Sequence, residues 1–201
     1  MASKIIVDQL EKSGLTTLTL PLANATANQI IENDGAGALS WVTPASAGNT
    51  VKVACLVDEK AANTDGGTFT QDAWQQRDLQ TEYYDTIGIS FGTNTFILPA
   101  GTFYFDWSCP GFDVRSHQTR LYNITAAGVV KPGSVEYADS STAATQNRSF
   151  GSAAITLVST ATFKIEHRCQ TTKATEGFGI SGNLDGSTAE VYTIVNVMQI
   201  S

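Results

Sequence analysis

The sequence predicts an all-β protein, an antiparallel β-sandwich preceded by a short β-rich segment, and three observations predict it. Residues 96–168 contain four runs rich in aromatic and β-branched residues, FILPAGTFYFDWSCPGF, HQTRLYNIT, NRSFGSAAITL and ATFKIEHR, split by turn residues and without a helical period. Two of these runs alternate cleanly. Phe103, Phe105 and Trp107 share one face against Tyr104, Asp106 and Ser108, and Phe163, Ile165, His167 and Cys169 oppose Lys164, Glu166, Arg168 and Gln170. The run at 191–200 is apolar on both faces, with Val191, Val195 and Val197 on one and Tyr192, Ile194, Met198 and Ile200 on the other. An antiparallel strand with one wet face should alternate. Both of its faces must therefore be covered, one by the sandwich core and the other by neighbouring subunits.

Residues 1–45 read as the accessory segment. An apolar run, Ile5-Ile6-Val7, precedes a polar bend at 11–14. Leu18 and Leu20 alternate with threonines in a half-buried strand stopped by Pro21. Asn33-Asp34-Gly35-Ala36-Gly37 is a turn, and residues 39–42 form a second strand, so 18–42 reads as a β-hairpin or β-arch. Such a unit cannot by itself bury Ile30, Ile31, Leu39 and Trp41, because an isolated hairpin is marginal in water. These four residues are expected to pack on copies of themselves or on a docking partner, with packing on the protein's own sandwich as the alternative.

A small-residue linker at 43–49 leads to the sandwich, residues 50–201. Its first strand is VKVACLV at 51–57, followed by a polar loop at 58–67 and strands around 68–70, 74–79 and 87–91. The Pro99-Ala100-Gly101 turn between two apolar runs reads as a hairpin.

Composition narrows the function. Hydrophobic residues make up 42% of the 201 residues, enough for a full core, while charged residues reach only 15% against the roughly 25% of ordinary soluble domains. A surface of uncharged polar groups is common in extracellular and virion proteins. A net charge of −7 with no basic stripe argues against nucleic acid. No signal-peptide h-region and no run of roughly 18 apolar residues is present, which predicts synthesis in a cytoplasm without membrane insertion. Cys55, Cys109 and Cys169 form no CxxC pair and read as core thiols, with a Cys109–Cys169 disulfide as the alternative. No cofactor motif and no DxDxDG-like calcium loop occurs.

The chain reads as a non-enzyme. Its histidines are His117 and His167 alone, and it has neither a GxSxG elbow nor an HExxH motif. His167, beside Phe163 and Ile165, is expected in the core or an interface.

The motifs FILPAGTFYFDWSCPGF, HQTRLYNIT, EYA, NRSFGSAAITL, FKIEHRCQTT and GFGIS, in that order over residues 68–200, resemble the jelly-roll heads of the complement and tumour-necrosis-factor-like superfamily. More narrowly they resemble the version found in structural proteins of bacteriophages, particularly cyanophages. Residues 4–41 are similar to a segment common near the start of phage fibre proteins. The resemblance implies a jelly roll that trimerises around an apolar axis close to its last strand. It implies a homotrimeric virion protein made in the host cytoplasm, acting as a tail fibre or spike whose head meets a host cell-surface glycan or protein. The alternative is a capsid decoration protein. In either case residues 1–45 attach to other virion proteins. The collagen stalk of the complement proteins is missing.

Tyr192, Ile194, Met198 and Ile200 are the expected trimer-interface residues. Arg120 and Arg168 are either solvated charges or partners of Glu166 or Asp106 at the subunit boundary. Receptor contacts are expected on the loops 58–67, 112–116, 135–148 and 170–177, with Asp113, Tyr137, Asn147 and Arg148 as candidates.

Overall fold

A computed structural model describes residues 9–10, 18–19, 21–36, 38–44, 51–141 and 143–200. The chain divides into two compact units, Met1–Thr50 and Val51–Ser201.

In the first unit β1 (Gln9–Leu10) pairs antiparallel with β2 (Leu18–Thr19), and β3 (Ile30–Asn33) with β4 (Leu39–Val42). The hairpin therefore spans 30–42, and the leucine–threonine strand turns back to 9–10 instead of joining it. Side-chain acceptors close the connecting turn: Gly35 N–H donates to Asn33 Oδ1 at 2.6 Å and Ala36 N–H to Asp34 Oδ1 at 2.8 Å. Trp41 is half-buried and donates from Nε1 to the Ala23 carbonyl at 2.6 Å. Leu39 is half-buried, whereas Ile30 and Ile31 are exposed. The apolar run Ile5-Ile6-Val7 lies outside the described residues.

The second unit is built from β5 (Lys52–Lys60), β6 (Gln75–Gln76), β7 (Thr81–Asp85), β8 (Ser90–Gly92), β9 (Thr95–Leu98), β10 (Gly101–Phe112), β11 (Arg115–Asn123), β12 (Gly128–Ala138), β13 (Gln146–Leu157), β14 (Ala161–Cys169) and β15 (Glu190–Gln199). One sheet has the order β13-β10-β15-β5-β7. The other has β12-β11-β14-β9-β8, with β6 paired to β14, and every pairing is antiparallel. The chain crosses between sheets at β5–β6, β6–β7, β7–β8, β9–β10, β10–β11, β12–β13, β13–β14 and β14–β15. That order is a jelly roll.

The two well-patterned strands fold as their alternation predicts. Phe103, Phe105 and Trp107 of β10 and Phe163, Ile165, His167 and Cys169 of β14 are buried between the sheets, while Tyr104 and Arg168 face solvent. The Phe163 ring lies 5.7 Å from those of both Phe96 and Phe105, and each such buried side chain contributes about 1.5–3 kcal/mol. Trp107 Nε1 donates to Thr119 Oγ1 at 2.8 Å. Its indole lies against Gly151 on the neighbouring strand, where an added Cβ would stand 2.0 Å from Trp107 Cζ2. Only glycine leaves room for the ring there.

Two expectations fail. The Pro99–Gly101 turn is no hairpin, because β9 and β10 belong to opposite sheets. Gly101, at φ +151°, turns the chain through that corner in a backbone region that side chains disfavour. Tyr192 does not share a face with Ile194 and Met198. The β15–β5 register slips between Val191 and Ile194, and this irregularity buries Tyr192 and Thr193. Tyr192 Oη donates to the Thr64 carbonyl at 2.7 Å.

Candidate functional site

Cross-strand neighbours on the outer face of the six-stranded sheet build a groove. Because side chains alternate, every second residue of β11, β12 and β14 faces outward. The β11–β12 and β11–β14 registers set Val135, Gln118 and Arg168 in one rank and Arg120 beside Glu166 in the next. Tyr137 lies opposite Ser116, whose carbonyl accepts from Gln170 N–H at 2.9 Å. Over these ranks runs the segment that pairs β6 to β14, carrying Asp72 and Trp74. The resulting open groove, about 280 Å³, is lined by Asp72, Trp74, Ser116, Gln118, Val135, Arg168 and Gln170, with His117 and Cys169 beneath.

Ion pairs hold the wall beside Trp74. Glu166, nearly buried, accepts from Arg120 Nε at 2.6 Å and meets Lys164 Nζ at 2.7 Å. The Arg120 guanidinium lies 4.0 Å over the Trp74 ring, occupying one face of the indole. Gln118 Nε2 donates to the Gly133 carbonyl at 2.9 Å. Arg168 and Asp72 meet loosely at 3.5 Å, with side chains 47% and 69% exposed, a geometry that leaves both open to another partner.

Beneath the groove lies a buried histidine pair. Asn147 Nδ2 donates to the Tyr137 carbonyl, so its Oδ1 faces His117 Nε2 at 2.7 Å and takes that proton. His117 Nδ1 is then bare and accepts from His167 Nε2 at 2.9 Å. His167 Nδ1 has no donor among the described residues. Burial pushes the pKa of both rings down, His167 the further, and the nearby Arg77 cation adds to the shift. Both rings are neutral at pH 7. Arg77 is itself fully buried, donating to Thr193 Oγ1 and to the Phe178 carbonyl, both at 2.9 Å. Burial lowers its pKa.

The opposite face differs in kind. Two ranks cross the outer side of the five-stranded sheet, Ala154-Tyr104-Met198-Val53 and Ser152-Asp106-Asn196-Cys55-Tyr84, and Asp106 is their one charge. A shallow crevice of about 80 Å³ lies among Val53, Tyr84, Tyr104 and Met198. Met198, Ile200, Tyr84 and Tyr104 are exposed, and Ile194 is half-buried.

The residues expected at a trimer interface are therefore dispersed. Ile194, Met198 and Ile200 lie with the five-stranded sheet, Arg120 and Arg168 on the outer side of the other sheet, and Tyr192 inside. Arg120 does pair with Glu166, while Asp106 accepts from Asn196 Nδ2 at 3.0 Å.

Among the candidate receptor residues, Asn147 and Arg148 are taken up internally. Arg148 donates to the Ser108 and Tyr192 carbonyls. Half of segment 135–148 is strand, since β12 runs to Ala138 and β13 begins at Gln146. Asp113 is tied to Lys173 at 2.6 Å, a bond that raises the lysine's pKa. Tyr137 is exposed and stands beside the groove. Ser116, Val135 and Gln170 fall at the ends of the expected contact loops, whereas Asp72, Trp74, Gln118 and Arg168 lie outside them. For those four the one local signal was a tryptophan inside the polar run QDAWQQRD.

All three cysteines are free and buried, with desolvation raising the Cys169 thiol to about 12. Among the described residues no group of three or more His, Cys, Asp or Glu is placed to hold a metal, and no helix is long and apolar enough to cross a membrane.

No family model matches the chain, and no curated protein does. Among solved structures it is similar to the globular domain of zebrafish complement 1qA protein, at 13% identity and a TM-score of 0.47, covering 75% of this chain and 98% of that one. It is also similar to murine APRIL at pH 5.0, with 9% identity and a TM-score of 0.45, and at pH 8.5, with 7% and 0.42; each covers 75% of this chain and all of the other. The jelly-roll assignment rests on the strand order itself.

Proposed function

We propose that the chain is a non-enzymatic structural protein of a bacteriophage virion. In this reading it is a homotrimer whose jelly-roll unit forms a tail-fibre or spike head in contact with a host-surface receptor. Residues 1–45 dock on other virion proteins. The trimer rests on one observation, the uncovered apolar face around Tyr84, Tyr104, Met198 and Ile200. A contiguous apolar patch of this kind marks an interaction surface. A further copy of the chain covers it in every subunit at once, as closed symmetry requires. The phage assignment is supported by the sequence motifs of residues 4–41 and 68–200, and host contact by the groove on the opposite, polar face.

Capsid decoration is the second reading, favoured by Ile30 and Ile31 of β3, which are exposed on the two faces of the hairpin and free for a docking partner. Sedimentation velocity tests the trimer, and a monomer at micromolar concentration would sink it. Imaging of particles labelled against this chain separates the two readings. A few trimers at the tail support host recognition, trimers across the head support decoration, and unlabelled particles overturn the virion assignment.

A further inference from the structure

We propose that the groove between Trp74 and Val135 is a saccharide site that takes one neutral pyranose ring. The proposal deepens the host-contact reading and rests on it only for which cell supplies the sugar.

The chemistry of the lining selects the ligand. A sugar hydroxyl both donates and accepts, and so do the groups on the floor. Ser116 offers a hydroxyl, Gln170 an exposed amide, and Gln118 keeps its carbonyl oxygen free while its nitrogen binds Gly133. Asp72 and Arg168 each offer two parallel hydrogen-bonding positions on a rigid plane, which matches a pair of vicinal hydroxyls. Their loose 3.5 Å contact can be exchanged for a ligand at little cost, because exposed pairs are worth at most about 1 kcal/mol.

The walls suit the rest of the ring. A pyranose has an apolar side of C–H groups, which stacks on aromatic surface. Trp74 has one face occupied by Arg120, which holds the indole in place and leaves its other face and edge for a ligand. Val135 supplies apolar surface opposite.

Charge argues for a neutral ligand. The lining holds one carboxylate and one guanidinium, so its net charge is zero. The adjacent cations Arg120 and Lys164 are both engaged by Glu166. Within the lining an acidic sugar would find Arg168 as the one cation, and would meet Asp72 beside it. At about 280 Å³ the groove lies near the lower end of small-molecule sites, of a size for one ring rather than a branched glycan.

Saturation-transfer NMR on the intact protein tests this, using separate neutral hexopyranosides (methyl glucoside, galactoside and mannoside) and glucuronic acid and sialic acid as charged probes. The expected result is saturation of at least one neutral glycoside at millimolar concentration, with weaker signals from both acids. Trp74→Ala and Asp72→Ala should each weaken binding by about tenfold or more. The Asp72 side chain is largely exposed, and its backbone at φ +61° adds a strain of only about 1–2 kcal/mol for alanine, so that variant keeps the fold even where Trp74→Ala does not. The inference is overturned if no neutral glycoside binds, if an acid binds better, or if Asp72→Ala leaves binding unchanged. Particle location does not enter this assay, so tail labelling without sugar binding would defeat the saccharide site and leave the host-contact reading standing.

Discussion

The two outer faces of the sandwich come from the same alternating pattern and meet water in opposite ways. On the six-stranded sheet the outward positions are Arg120, Glu166, Lys164, Arg168 and Gln118, knitted by ion pairs and amide bonds. On the five-stranded sheet one rank, Ala154-Tyr104-Met198-Val53, is largely apolar, and the rank beside it carries Asp106 as its one charge, bonded to Asn196. Alternation shows which side chains leave the core. What the outward residues are shows whether solvent or another protein receives them.

The largest expected effect attacks the apolar face. Met198→Asp puts a charge where a copy should pack, and the dissociation constant of the trimer should rise at least 100-fold, about 3 kcal/mol, by sedimentation equilibrium. The same substitution is nearly neutral for the fold of the subunit, and a trimer untouched by it would move the interface elsewhere. The matching change on the polar face is Glu166→Gln. It strands Arg120 and Lys164 beside a nearly buried amide and should cost about 1–3 kcal/mol in denaturant unfolding, with assembly unchanged. Loss of assembly in this variant would erase the distinction between the faces.

Acid should act on the interior that both faces share. The folded pKa values of His117 and His167 lie below the ordinary 6.5, so the unfolded chain binds more protons. The stability they confer is complete above about pH 6.5 and falls as pH drops below it, by at most about 1.4 kcal/mol per pH unit for each ring. His167→Phe should flatten that slope in thermal melts taken between pH 7 and 5, and an unaltered slope would refute the role of the pair. The smallest effect belongs to Arg168→Ala, whose loose exposed pair predicts a stability change within about 0.5 kcal/mol.

Periodicity made β10 and β14 legible, since their inward residues are strictly every second one. It did not reveal which sheet a strand joins. The Pro99–Gly101 corner has the composition of a hairpin turn, and only the pairing of β9 with β14 and of β10 with β13 and β15 shows it to be a crossover. Tyr192 was misplaced because a register slip is invisible in hydropathy. The string of small polar residues before Asn147 and Arg148 has the composition of a loop, yet both residues belong to the start of an edge strand. Apart from Trp74, only the loop ends at Ser116, Val135 and Gln170 pointed to the groove in sequence. It joins Asp72 and Trp74 to Ser116, Val135 and Arg168, residues far apart in the chain that come together only through strand order.

The first and last strands of the second unit, β5 and β15, lie side by side and antiparallel, with Lys52 opposite Gln199. Entry and exit of the chain are therefore separated by one strand spacing, about 5 Å. A fold with so narrow a doorway can be spliced whole into a surface loop of an unrelated protein without prising that loop apart. Such a unit can travel between genes as an insertion as readily as at the end of a chain.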